Sequence, residues 1–185
     1  MIGNKDILLD QAEYRLCENR DERPSGTQID LLVIHSISLP PGEFGGPWID
    51  DFFMNRLDPD AHPYFREIHQ LKVSCHLLIR RDGRLIQYVP LNQRAWHAGI
   101  SNYCGREQCN DFSIGIELEG ADGQPFTEEQ YRTLTRATRA IITHFPAIDQ
   151  SRITSHAAIS PGRKTDPGPL FDWSKYLASL NSNLA

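Results

Sequence analysis

The chain has 185 residues, 39% hydrophobic and 23% charged, with a net charge of −5; this is the size and balance of one globular domain with its own core. The acidic balance, with a pI near 5.8, argues against nucleic acid as the main partner, because phosphate binding needs a basic face. No apolar run approaches the roughly 20 residues of a membrane span, and the run Ile7 to Leu9 near the start is too short for a signal-peptide core, so no membrane partner and a cytoplasmic location are expected.

Residues 1–28 read as a polar lead-in ending in the breaker run Pro24-Ser25-Gly26. Residues 29–34 (IDLLVI) form a short continuous apolar run, the mark of a strand buried on both faces. His35 follows, and the prolines and glycines at 40–42 and 45–47 make the next connection long and irregular. A short helix is predicted over 48–56, opened after Pro47 and closed before Pro59. Residues 73–79 (VSCHLLI) and 85–89 (LIQYV) flank Asp82-Gly83, a pair that predicts a hairpin between two apolar runs. Residues 112–118 (FSIGIEL) alternate and read as another strand. Thr127 and Gln130 form a capping box, and Tyr131, Leu134, Ala137, Ile141 and Ile142 then recur at helical spacing up to Pro146. A short strand at 152–155 and a closing helix over 172–180, capped by Asp172, complete the chain. The expected class is α/β, a mixed central β-sheet flanked by helices.

Seven histidines are scattered along the chain, and none lies in a His-Glu-x-x-His helix. His35 and His156 each follow a predicted strand. Asp166 lies ten positions beyond His156, in the turn-rich loop KTDPGP. Functional groups favour such strand ends and the loops beyond them. Two histidines and a carboxylate form a catalytic zinc set that leaves one position open for water or substrate. Spacing alone does not single these three out, because seven histidines offer many pairs. His76, within a strand, reads as packed, His62 and His69 as solvent-facing, and His144 as a last-turn partner of the helix dipole. Cys17, Cys75, Cys104 and Cys109 are expected as free thiols in a reducing compartment, with no spacing that suggests a structural zinc knuckle.

The segments HSISLPPGEFGGPWID, HPYF, HLLIRRDGRLIQYVP, RAWHAG, CNDFSIGIELEG and RKTDPGP follow in this order between residues 29 and 173. Together they resemble the zinc-dependent N-acetylmuramoyl-L-alanine amidases, the family related to peptidoglycan-recognition proteins, and in particular its cytosolic branch. The resemblance implies that family's fold over a single zinc amidase domain at residues 29–180. It implies Zn2+ held by His35, His156 and Asp166, with Glu117 as general base and Lys164 as the cation that stabilises the oxyanion. The implied reaction is hydrolysis of the amide between (1,6-anhydro-)N-acetylmuramic acid and the stem peptide's L-alanine in peptidoglycan recycling, on an anhydro-muropeptide. Read without the resemblance, Glu117 and Glu119 share a strand face by period two, so either could be a solvated carboxylate, and Lys164 could be a surface lysine. Two other functions compete with this reading. A peptidoglycan-binding module without catalysis typically lacks a zinc ligand, whereas this chain keeps all three. A broad amidase acting on intact wall needs export.

Some positions depart from the family pattern. Ser36 stands where asparagine is usual after the first ligand, and Ala157-Ala158 stand where Cys-Asn or Cys-Asp is usual. Two positions that usually carry arginines for the peptide's terminal diaminopimelate fall on Lys72 and Gln108, with Arg106 and Arg163 as possible replacements. Ser36, Lys72, Trp96, His97, Gln108 and Arg163 are therefore the candidate substrate contacts.

Overall fold

The computed structural model describes residues 6–181. In chain order its elements are β1 (Glu13–Tyr14), β2 (Arg20–Asp21), β3 (Leu31–Ile37), α1 (Trp48–Phe53), α2 (Phe65–Ile68), β4 (Leu77–Ile79), β5 (Leu85–Gln87), β6 (Arg94–Ala95), β7 (Asn102–Tyr103), β8 (Arg106–Glu107), β9 (Ser113–Glu119), α3 (Glu128–His144), β10 (Ile153–Ser155), α4 (His156–Ile159) and α5 (Trp173–Asn181). Six strands form a mixed sheet in the order β1-β5-β4-β9-β3-β10. Strand β9 lies at its centre, parallel to β3 on one side and β4 on the other. The expected hairpin is the antiparallel pair β4–β5.

The alternation along β3 and β9 divides the molecule into two layers. Leu32, Ile34, Ile114, Ile116 and Leu118 face Leu134, Ala137 and Ile141 of α3 and Tyr176 of α5. Helix α3 starts where its capping box places it: the Thr127 hydroxyl accepts from the Gln130 N–H, and the Gln130 carboxamide accepts from the Thr127 N–H. Leu134 is fully buried under this helix, so truncating it to alanine costs about 2–5 kcal/mol. On the opposite face Leu31 and Val33 meet Phe112 and Ile159, while Leu78 and Ile86 meet Phe52, Phe53 and Phe65 from α1 and α2. This second face is interrupted along β9, where Ser113, Gly115, Glu117 and Glu119 replace apolar side chains.

Several boundaries differ from expectation. The helix predicted over 48–56 ends at Phe53, because Asn55 takes a positive φ of 57° and the Arg56 N–H closes back onto the Asp51 carbonyl. Only residues 77–79 of the 73–79 run form a strand, although the His76 N–H still bonds the Gly115 carbonyl. The lead-in, over its described residues, is stitched into the fold. Strand β1 extends the sheet edge beside β5. Cys17 is buried, and the Arg23 guanidinium donates to the carbonyls of Leu91, Asn110, Asp111 and Ser113. All four cysteines are free thiols. Among the described residues no helix is long and apolar enough to cross a membrane.

Candidate metal centre and catalytic cleft

The carboxyl ends of the parallel strands β3, β9 and β10 meet in one place. His35 on β3 and Glu117 on β9 are register partners, so their side chains leave the same face on adjacent strands. His156 is the first residue of α4, directly after β10, and Ser155 caps that turn by accepting from the Ala158 N–H at 3.0 Å. The chain then folds back. The Lys164 N–H bonds the Ser160 carbonyl at 3.1 Å, and the Ala157 N–H bonds the Asp166 carbonyl at 3.0 Å, which returns the Asp166 side chain to His156. Gly168 fits close to Asp122: a Cβ there would lie 2.7 Å from the Asp122 Oδ1.

His35 Nδ1, His156 Nδ1 and Asp166 Oδ2 form a triangle with edges of 3.0, 3.1 and 3.2 Å. The hydrogen bonds behind the rings bear on what these atoms carry. His156 Nε2 lies 3.1 Å from the Ala98 carbonyl, which accepts, and 3.3 Å from Arg163 Nη2, which donates, so the groups behind this ring do not fix its tautomer. His35 Nε2 lies 2.9 Å from His97 Nδ1. His97 Nε2 lies 3.2 Å from Ser113 Oγ, whose single proton goes to the Cys109 carbonyl at 2.6 Å. His97 must therefore donate to Ser113 and accept from His35, which leaves His35 Nδ1 bare. Burial holds the His35 imidazole down at about 4 and His97 well below the usual histidine range, so both rings are neutral near pH 7. The His35 lone pair, His156 Nδ1 and a carboxylate oxygen thus converge. A proton can serve only one edge of that triangle, whereas a cation serves all three corners. A tetrahedral zinc site with ligand distances of about 2.0–2.1 Å places its donors about 3.3–3.4 Å apart, and the observed edges fit that size.

Glu117 stands beside the triangle, with Oε1 3.9 Å from His35 Nδ1. Its Oε2 is buried without a hydrogen-bond partner. Burial pushes this carboxyl well above the usual range, the Asp166 charge adds to the rise, and Lys164 opposes it. Glu119, two residues on, is consumed by structure: it accepts from the Gly45 N–H, Arg80 Nη1 and the Arg81 N–H.

The group opens into a cleft of about 510 Å³ whose walls include Ser36, Leu71, Trp96, His97, Arg163 and Lys164. Of the six candidate substrate contacts, Ser36, Trp96, His97 and Arg163 are therefore brought to the site. Lys72 is exposed between Leu71 and Val73, which line the cleft while Lys72 does not. Gln108 borders a separate depression of about 470 Å³, which also touches Arg163. The two possible replacement arginines are occupied. Arg106 is paired with Asp30 at 2.7 Å and stacked on Phe112. Arg163 donates to the carbonyls of Ala98 and Ile100 and to the Ser160 hydroxyl. His76 is buried, as its position in the apolar run suggested. His62 and His69 are half-buried around Phe65 rather than fully solvent-facing, and His144 is exposed in the last turn of α3. Asn110, Ser113 and Gly115, all behind the triangle, were not singled out from sequence. The signal was present in β9, where a serine and a glycine occupy inward positions of a central strand, a place where glycine normally weakens packing.

An α/β domain that gathers a metal-competent triangle and a lone buried carboxylate at the ends of parallel strands has the build of a hydrolase. Residues 25–169 match the N-acetylmuramoyl-L-alanine amidase family (Amidase_2), and the chain belongs to that family and is an amidase. It is 60% identical over 169 residues to the 1,6-anhydro-N-acetylmuramyl-L-alanine amidase AmpD of Salmonella typhimurium, covering 90% of this chain and 87% of that protein. It is 58% identical over 160 residues to AmpD of Escherichia coli, covering 86% and 84%. A crystal structure of a selenomethionine AmpD derivative superposes with a TM-score of 0.91 at 55% identity, covering 94% of this chain and 96% of that one. The E. coli amidase AmiD, solved with anhydro-N-acetylmuramic acid-L-Ala-D-γ-Glu-L-Lys, superposes with a TM-score of 0.61 at 31% identity, covering 85% of this chain and 60% of that one.

Proposed function

We propose that this amidase is zinc-dependent and hydrolyses the amide between 1,6-anhydro-N-acetylmuramic acid and the L-alanine of the stem peptide, in cytoplasmic peptidoglycan recycling, with residues 29–180 as its catalytic domain. The observation that carries the metal reading is the convergence of His35 Nδ1, His156 Nδ1 and Asp166 Oδ2, with His35 Nδ1 left bare by the hydrogen bonds behind its ring. The substrate reading rests on the AmpD relatives, named for the anhydro sugar, and on the muropeptide held by AmiD.

Zinc held by His35, His156 and Asp166 would supply Lewis acidity, able to acidify a water and polarise the scissile carbonyl. The chain's own residues do the rest. Glu117 has an unpartnered oxygen and a raised proton affinity, so it can take a proton from the attacking water and hand it to the departing alanine nitrogen. Lys164 brings a positive charge close enough to act on both Glu117 and His35 and offsets the charge that develops on the carbonyl oxygen. Trp96 and Ser36 line the cleft that the substrate would enter. The test is to incubate the purified protein with anhydro-muropeptide and with its non-anhydro counterpart and follow products by mass spectrometry. Release of intact peptide, faster from the anhydro substrate, supports the reading. Equal cleavage of both, or of intact wall, supports the broad-specificity alternative instead.

A further inference from the structure

The segment His97–Ala98 reaches both histidines of the triangle from behind. His97 Nδ1 meets His35 Nε2 at 2.9 Å, and the Ala98 carbonyl meets His156 Nε2 at 3.1 Å. The segment is itself fixed by one side chain. The Asn110 carboxamide oxygen accepts from the His97 N–H at 3.1 Å and from the Ala98 N–H at 2.8 Å. The far side of the His97 ring is fixed by Ser113, and the ring lies so close to β9 that a Cβ on Gly115 would sit 2.5 Å from its Cγ. A mid-strand glycine there makes room for this imidazole.

Resting on the zinc reading, we infer that His97 is a positioning residue rather than a substrate contact: held by Asn110, Ser113 and Gly115, it sets the tautomer and ring angle of His35, while the Ala98 carbonyl beside it meets the His156 ring from behind. Each link follows from donor and acceptor chemistry. The Ser113 hydroxyl spends its proton on Cys109, so His97 donates to Ser113, accepts from His35, and turns the His35 lone pair toward Asp166. Groups behind metal-bound histidines typically change metal affinity 10–100-fold when removed, because they fix the ring and strengthen its lone pair. One backbone segment thus couples both rings, and a shift of residues 97–98 disturbs two ligands together.

Leucine and asparagine have the same shape, and only asparagine carries an acceptor near the position of His97 Nδ1. His97→Leu is expected to weaken zinc binding about 10–100-fold in competition with a chromophoric chelator, and His97→Asn to recover most of that loss. Equal affinities for the two variants, or a KM increase in His97→Leu with zinc affinity unchanged, would overturn the inference. Nitrogen-15 imidazole spectra of the metal-free wild-type chain supply a measurement that needs no variant. His35 should appear as the Nε2–H tautomer before zinc is added, and a Nδ1–H form of His35 would refute the inference. A wild type that takes up no zinc would contradict the metal reading, while the tautomers in that same sample would still decide the role of His97.

Discussion

Replacing Glu117 with glutamine separates catalysis from metal binding and from folding. The substitution keeps the size of a side chain whose Oε2 touches no polar partner and whose Oε1 stands 3.9 Å from His35 Nδ1, outside the donor triangle. It removes the ability to take a proton, so the loss is that of general acid–base catalysis, about 10²–10⁴ in kcat, or about 2.7–5.4 kcal/mol of barrier. Zinc content should be unchanged. Thermal stability should hold or rise, because a buried carboxyl pushed upward by desolvation no longer has to be accommodated. Glu119→Gln should do the reverse. It weakens a fully buried pair with Arg80, and breaking such a pair costs up to about 3–5 kcal/mol. The low end applies, since Arg80 keeps Asp50 at 2.5 Å. The activity of the molecules that remain folded should change little. Steady-state kinetics on anhydro-muropeptide, zinc analysis and thermal melts of both variants form the assay. A large rate loss in Glu119→Gln together with near-normal turnover in Glu117→Gln would refute the assignment.

Lys164→Ala should lower kcat more than it raises KM, because a contact with developing charge strengthens in the transition state; a pure KM effect would make Lys164 a substrate anchor. Lys72 and Gln108 offer neither of the bidentate grips that arginines give a carboxylate, and Arg106 and Arg163 are already committed. The preference in kcat/KM for a peptide ending in diaminopimelate over a truncated one should therefore be small, and should widen in Lys72→Arg/Gln108→Arg; no change on restoration would show that these positions do not read the peptide. Burial, with the Arg23 charge beside it, holds His76 well below the usual histidine range. Both folded and unfolded chains are neutral there above about pH 6.5, and below it only the unfolded chain binds the proton. The metal-free protein should thus lose about 1.4 kcal/mol per pH unit from this ring as pH falls below about 6.5. His76→Gln should flatten the urea-midpoint profile by that amount, and an unchanged slope would exonerate the ring.

Much of this architecture was legible in the chain because the sheet face under α3 repeats with period two and α3 itself with helical spacing. Leu32 and Ile34, Ile114 and Ile116, and the Thr127 capping box report their places directly. The triangle was legible as residues but not as geometry. Nothing between His35 and His156 states that β10 pairs with β3, the pairing that brings residues 121 positions apart to 3.0 Å. Short elements escaped for a different reason. Strands of two residues such as β1 and β2, and helices of four such as α2 and α4, carry no measurable periodicity. The lead-in looked separable because its anchoring is made by single side chains, Arg23 above all, that bond to backbone carbonyls no pattern can announce. Without the resemblance, the contrast between Glu117 and Glu119 also needed three dimensions: Arg80, just beyond β4, and the Gly45 and Arg81 N–H groups meet at Glu119 and tell the two apart.

The most direct measurement combines metal content with turnover. The protein should be stripped with a chelator, titrated with zinc, and assayed for release of stem peptide from 1,6-anhydro-N-acetylmuramoyl-peptide at each step, beside Asp166→Ala. The account predicts activity that is absent in the stripped protein, rises in proportion to zinc and saturates at one ion per chain, with Asp166→Ala neither holding the ion tightly nor turning over. Full turnover by the metal-free protein, or saturation at one zinc per chain that leaves Asp166→Ala unaffected, would contradict it.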